Sequence, residues 1–322
     1  MNISKKAIMS FIVALTSVVA MAQPYYHIMK EENGKLIEQT GYDSKDYKIK
    51  IDMVKSENRP KDAIGNKITI ESYDCDMSPL KRSFWFTKNG NVYYNNSEKK
   101  FYFEKSQIDY PSGTYSKDHC GHFLWARSID ECIDDTEKSN SLSWPNPTET
   151  DFYFANPENL PKLQEDLGNE RWAVLSACEW AYVCRYLGEY GWYVGGKLCY
   201  LIDTTPNKRL LTSMGLKYRK SISKADFESY EAKGIVCLPA SGYRADKYWD
   251  ASGWVVDPYF VGQGSLGYYW SCTPFYYQGK LKSYYMNFES RYRAPVYQGD
   301  FRHFGDFRAY GFAVRLVILA ND

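Results

Sequence analysis

Trp172-Ala-Val-Leu-Ser-Ala-Cys-Glu-Trp-Ala-Tyr-Val-Cys-Arg-Tyr-Leu-Gly188 decides how the rest of the chain is read. Ser176 and Glu179 have the spacing of a capping box: the serine hydroxyl accepts from the Glu179 amide while the glutamate reaches back to the serine N–H. Behind them Ala177, Trp180, Ala181, Cys184 and Leu187 follow i, i+3, i+4, i+7 spacing and so share one helical face. Gly188 falls where a helix-ending glycine belongs. The stretch predicts an amphipathic helix. A second helix opens at Ser223-Lys-Ala-Asp226, runs through Phe227 and Tyr230 and closes at Gly234. A third is expected over 157–167, with Pro161 tolerated only in its first turn.

Around these helices the pattern is β. Tyr47-Lys-Ile-Lys-Ile-Asp-Met-Val54 and Asn66-Lys-Ile-Thr-Ile-Glu-Ser-Tyr73 alternate at period two. Arg82–Thr87 and Val92–Asn95, joined through Asn89-Gly90, predict a hairpin with a primed turn. Lys99–Phe103 adds a short strand, and 133–150 is polar, proline-containing loop. Past Gly234, strands are expected at 235–240, 267–273, 281–290 and 311–319, rich in Tyr, Val and Phe. The stretch 245–266 has no clear period and several glycines, which predicts a long loop kept ordered by its aromatics.

The chain has 322 residues, 44% of them hydrophobic and 17% aromatic, which suits a globular protein. Residues 1–22 have a basic start at Lys5 and Lys6, an apolar run at 7–19 and a small-residue end at Ala20-Met-Ala22, the pattern of a secretory signal peptide. Removing it takes the 40 Lys and Arg down to 38 against 39 Asp and Glu. So balanced a charge argues against nucleic acid and a polybasic membrane patch. No later apolar run reaches the ~20 residues of a membrane helix, and no cysteine stands near residue 22 to take a lipid. The expected location is secreted, periplasmic or cell-surface. All eight cysteines follow residue 22. An even count in an exported chain allows disulfides. Buried thiols account equally well for Cys184 on its helix face and for Cys199 and Cys237 in apolar strands.

Four segments carry a resemblance. Trp172–Val183 resembles the helix entry of the Fibrobacter succinogenes major paralogous domain family. Leu238-Pro-Ala-Ser-Gly-Tyr-Arg244, Tyr268-Tyr-Trp-Ser-Cys-Thr-Pro274 and Gly311-Phe-Ala-Val-Arg-Leu-Val317 resemble three later segments of that family, in the same order. The likeness spans roughly residues 88–319. It implies an α+β, C-type-lectin-like domain over 88–322 with two main helices and a short mixed or antiparallel sheet, related to the formylglycine-generating, sulfatase-modifying group. A small β-rich leader at 23–87 precedes it. The family is typical of exported proteins of Bacteroides-like bacteria, and its members mostly lack a known activity.

Catalytic chemistry finds little support. Glu179 has no second carboxylate set against it, as glycoside cleavage requires, and capping accounts for it. His119-Cys120-Gly-His122 with Asp118 offers metal ligands on one turn, but no second Cys/His pair lies near in sequence, so a polar loop leading into Phe123-Leu-Trp125 is favoured. The calcium triplets of sugar-binding C-type lectins are absent. Asp246, Asp250 and Asp257 alone fall short of the six or more oxygens a hard cation needs. The reactive cysteine pair of formylglycine-generating enzymes is missing too, since Cys272 is the only cysteine after Cys237. No metal or other cofactor is expected.

The aromatics weigh more: 30 Tyr, 9 Trp and 16 Phe. Rings with an apolar face and a polar tip stack on sugars and anchor interfaces; they also pack loop-rich domains. The expected reading is a non-catalytic recognition protein binding a glycan or cell-surface protein through Trp249, Trp254, Tyr259, Tyr276 and Tyr277. The alternatives are an enzyme of the formylglycine-generating type carried by Cys272, or a structural subunit of a surface assembly whose leader strands pair with a neighbour. Arg308 and Arg315 are expected to partner carboxylates or carbonyls.

Overall fold

The computed structural model describes residues 27–32, 35–40, 50–55, 57–73, 79–110, 119–125, 129–133, 154, 161–168, 171–206, 209–213, 221–250, 253–277, 280–289 and 311–320. The segment read as a signal peptide, Cys75, Asp118 and Arg308 lie outside them. In chain order the first strands are β1 (His27–Glu32), β2 (Lys35–Thr40), β3 (Lys50–Val54), β4 (Ala63–Tyr73), β5 (Pro79–Thr87), β6 (Val92–Asn95), β7 (Lys100–Phe103) and β8 (His119–Cys120). Helices α1 (Ile129–Ile133) and α2 (Pro161–Leu167) lead to β9 (Trp172–Ala173) and α3 (Ala177–Leu187). Then come β10 (Gly188–Val194), β11 (Lys197–Asp203), α4 (Arg209–Ser213), β12 (Ser221–Ile222), α5 (Lys224–Glu231) and β13 (Ile235–Pro239). The chain closes with β14 (Tyr243–Asp250), β15 (Gly253–Val261), β16 (Leu266–Tyr277), β17 (Lys280–Glu289) and β18 (Val317–Leu319).

The fold is mixed, with strands dominant and spread over several sheets rather than one short sheet. A five-stranded antiparallel sheet in the order β3-β4-β5-β18-β9 stands in the middle. Its period-two alternation feeds two cores, because successive side chains point to opposite faces. Phe84, Phe86, Ala173 and Val317 enter one core together with Trp180 of α3. Trp85, Trp172 and Ile318 enter the other, with Phe101, Phe123 and Phe154. Phe84, Trp85 and Phe86 are all buried for that reason.

A second sheet, β12-β10-β11-β13, repeats the device. Leu198, Tyr200, Ile202, Val236 and Leu238 face the α3 core, while Cys199, Leu201, Ile235 and Cys237 pack with Phe227 of α5. Helix α3 therefore lies between two sheets. The expected capping box is present: Glu179 N donates to Ser176 Oγ at 3.2 Å and Ser176 N to Glu179 Oε2 at 2.8 Å. Ser223 caps α5 through Asp226 N at 3.0 Å, and Pro161 is the first residue of α2.

Several expectations give way. Residues 82–95 are not a hairpin, since β5 pairs with β4 and β18 while β6 pairs with β7 and β8. The amides that a primed turn would use are taken elsewhere: Lys88 N donates to Asp62 O, Gly90 N to Glu104 O and Val92 N to Val314 O. Gly188 is the C-cap of α3 as expected, though without a left-handed turn. Its backbone is extended at φ −92° and it opens β10; a Cβ there would stand 2.1 Å from the Tyr200 hydroxyl, so the glycine serves close approach. The stretch 245–266 is not a loop but mostly the β14–β15 hairpin, with a register shift between Ala245 and Lys247 that breaks the alternation. Strand β5 pairs directly with β18.

None of the seven described cysteines forms a disulfide, and Cys184, Cys199 and Cys237 are buried. No described helix is long and apolar enough to cross a membrane.

Candidate functional site

Two hairpins carry the five aromatics singled out in the sequence, and for these five the structure describes the backbone alone. Trp249 stands directly opposite Trp254, next to the tip of β14–β15. Tyr259 pairs with Ala245 beside the register shift. In the second hairpin Tyr276 pairs with Leu281 and Tyr277 with Lys280, the last pairs before the turn. Both turns join their strands through two residues. Residues Pro274–Tyr277 are strand, because β16 resumes pairing at Pro274 after an irregularity that begins past Trp270.

The bases of these hairpins are fixed. Gly242 and Gly267 form a parallel bridge, with Gly242 N donating to Leu266 O at 2.7 Å. The two hairpins therefore leave their shared base side by side and in the same direction. Arg244 and Gly311 exchange both backbone hydrogen bonds, at 2.8 and 2.9 Å. The rings of Tyr243 and Tyr268 meet edge-on at 5.0 Å. Tyr268 stacks on Phe312 at 5.0 Å, and Trp270 lies against Phe312 at 4.3 Å. Trp270 Nε1 donates to Phe123 O at 2.6 Å. A strand rises about 3.4 Å per residue, so a rigid aromatic base holds two arms whose outer pairs lie roughly 20 Å away.

A second set of rings was not singled out in the sequence. Tyr93 on β6 pairs with Tyr102 on β7, and their rings stack at 5.5 Å. His119 on β8 meets Tyr93 edge-on at 5.5 Å. All three are half-buried, whereas their neighbours Tyr94, Phe101 and Cys120 are buried in the core. The Tyr102 hydroxyl bonds the Glu98 carboxylate, and Asn95 Nδ2 holds the other Glu98 oxygen at 2.8 Å. The signal was present in the alternation of Val92-Tyr-Tyr-Asn95 and Lys100-Phe-Tyr-Phe103, but pairing β6 with β5 hid it.

The titratable groups considered for chemistry are held in structural roles. Glu179 is fully buried, bonded to Ser176 N and to Arg82 Nη1 at 2.9 Å. The His119-Cys120-His122 cluster does not converge: Cys120 Sγ donates to His122 O at 3.2 Å, and His122 Nε2 meets Ser241 O at 3.1 Å. Burial presses the His122 imidazole down to about 3, opposed by the Ser241 hydrogen bond and assisted by nearby Arg244. Among the described residues no group of three or more His, Cys, Asp or Glu is placed to hold a metal ion. Burial raises the Cys237 thiol, its hydrogen bond with Cys199 adding to the effect. Such a thiol is a poor nucleophile at neutral pH. Cys272 is half-buried, its backbone N–H given to Leu175 O at 3.1 Å.

No family model, curated protein or solved structure matches the chain.

Proposed function

We propose that this chain is an exported recognition protein, resident in the periplasm, on the cell surface or released. In this reading it uses a C-type-lectin-like scaffold of the Fibrobacter succinogenes major paralogous domain type. It binds a glycan or a cell-surface protein through aromatics carried at the ends of two hairpins. The observation that supports this best is the direct pairing of Trp249 with Trp254 beside the tip of an arm whose base is locked by Arg244 and Gly311. Paired tryptophans on a fixed arm lose little conformational freedom on binding, the circumstance in which aromatic anchors contribute most. Tyr276 and Tyr277 stand at the outer end of the neighbouring arm.

The test is a glycan and matrix-protein array probed with the wild type and the Trp249→Ala/Trp254→Ala variant. Loss of at least two hot-spot kcal/mol weakens binding by about 30-fold or more. The melting temperature should stay within about 2 °C, as expected for surface substitutions. A wild type that binds nothing, or a variant that unfolds instead of losing binding, overturns the proposal.

A further inference from the structure

Thr87, Asn91, Gln107, Tyr269 and Arg315 are completely enclosed, yet their hydrogen bonding does not close. Arg315 Nη2 donates to Thr87 O at 3.0 Å and to Gln107 Oε1 at 2.8 Å. Gln107 Oε1 also takes the Cys237 N–H at 2.9 Å, and Gln107 Nε2 donates to Glu231 Oε1 at 2.7 Å. The buried cation thus reaches its carboxylate only through an amide. Asn91 Nδ2 donates to the Tyr269 hydroxyl at 3.5 Å, which donates to Pro239 O at 2.6 Å. The bond from Val92 N to Val314 O brings Asn91 beside the segment that carries Arg315. Three polar atoms are left over: Arg315 Nε, Arg315 Nη1 and Asn91 Oδ1 make no hydrogen bond among the described residues.

Leaving a buried donor or acceptor unpaired is costly, and more so when the group is charged. Neutralising the cation does not relieve this. Burial lowers the Arg315 guanidinium only to about 10, with Tyr269, Cys237 and Glu231 acting in the opposite direction. It therefore keeps its proton at neutral pH. The N–H groups at Nε and Nη1 diverge around the planar guanidinium, so no single acceptor serves both.

We propose that two internal water molecules complete this buried polar group, one on Arg315 Nε and one on Arg315 Nη1, with one of them donating to Asn91 Oδ1. Water fits the leftover inventory because it accepts from the cation and donates to the amide oxygen, and buried waters each settle about three such bonds. A halide satisfies the arginine but faces the Asn91 oxygen lone pairs without a proton to offer. The waters finish the solvation of a cation whose carboxylate partner lies one residue removed.

High-resolution crystallography of the full chain with a bromide soak tests this directly. The expected result is two ordered solvent peaks within hydrogen-bonding distance of Arg315 Nε and Nη1, one of them also within reach of Asn91 Oδ1, and no anomalous bromide signal there. An empty space, a single peak or a bromide peak overturns the proposal. In solution, the Arg315 Nε–H should show a cross-peak to long-lived water, and loss of that cross-peak in a folded Arg315→Met variant assigns it; its absence in the wild type also counts against the site.

Discussion

Replacing Glu179 with alanine removes both the capping of the central helix and its link to Arg82. Glu179 Oε2 accepts from Ser176 N at 2.8 Å and from Arg82 Nη1 at 2.9 Å, joining helix α3 to strand β5. The glutamate side chain is fully buried, while Arg82 keeps 23% of its surface in solvent. Breaking a buried pair by removing one partner costs about 3–5 kcal/mol. Arg82 recovers some hydration on losing its partner, which sets the expected loss near the lower end, about 3 kcal/mol, with the cap included. For a chain of 322 residues that lowers the melting temperature by roughly 4–5 °C. Glu179→Gln keeps an oxygen for Ser176 N but no charge for Arg82, so about half that loss is expected. Urea unfolding followed by tryptophan fluorescence measures both, and a cycle with Arg82→Met separates the ion pair from the cap. A Glu179→Ala protein within 1 kcal/mol of the wild type would refute the assignment of Glu179 to structure.

Acid should weaken the fold through His122. Its folded-state value of about 3 lies below the ordinary 6.5, so the unfolded chain binds the extra proton between those limits. Stability then falls by about 1.4 kcal/mol per pH unit as pH drops through that window, and a folded His122→Gln variant should show a correspondingly flatter pH profile in denaturant titrations. Gly188→Val should fail to accumulate as folded protein, because its Cβ meets the Tyr200 ring system at 2.1 to 2.5 Å; normal yield and melting temperature would contradict the packing described. Thiol labelling of the native protein should modify Cys178 and Cys272, which are half-buried, before the buried Cys120, Cys132, Cys184, Cys199 and Cys237. Mass mapping of labelled peptides against time checks that order.

Local chemistry was readable in the sequence and long-range pairing was not. Ser176 with Glu179 and Ser223 with Asp226 marked their helices because a cap needs only residues within one turn. The strand at Val92–Asn95 was also visible, but its partner was misassigned: nothing near Asn89-Gly90 reveals that the neighbouring amides go to Glu104 and Val314. Register shifts after Ala245 and Trp270 erased the alternation that identifies a strand, so the arm bearing Trp249 and Trp254 looked like a loop. The aromatic character of the candidate surface was legible, whereas the direct opposition of Trp249 and Trp254 depends on register. The enclosed group around Arg315 draws on residues 87, 91, 107 and 269, a set that no sequence spacing brings together.

The position of β18 bears on how the molecule is made. Val317–Leu319 is flanked by Phe84–Phe86 on one side and Trp172–Ala173 on the other, so an interior position of the sheet is filled by a strand made after both of its neighbours. Until it arrives, β5 and β9 have no shared neighbour, and the aromatic residues they carry stay without their final packing. Contacts of such long sequence separation slow folding, and the pairing of β5 and β9 with their common neighbour is of that kind.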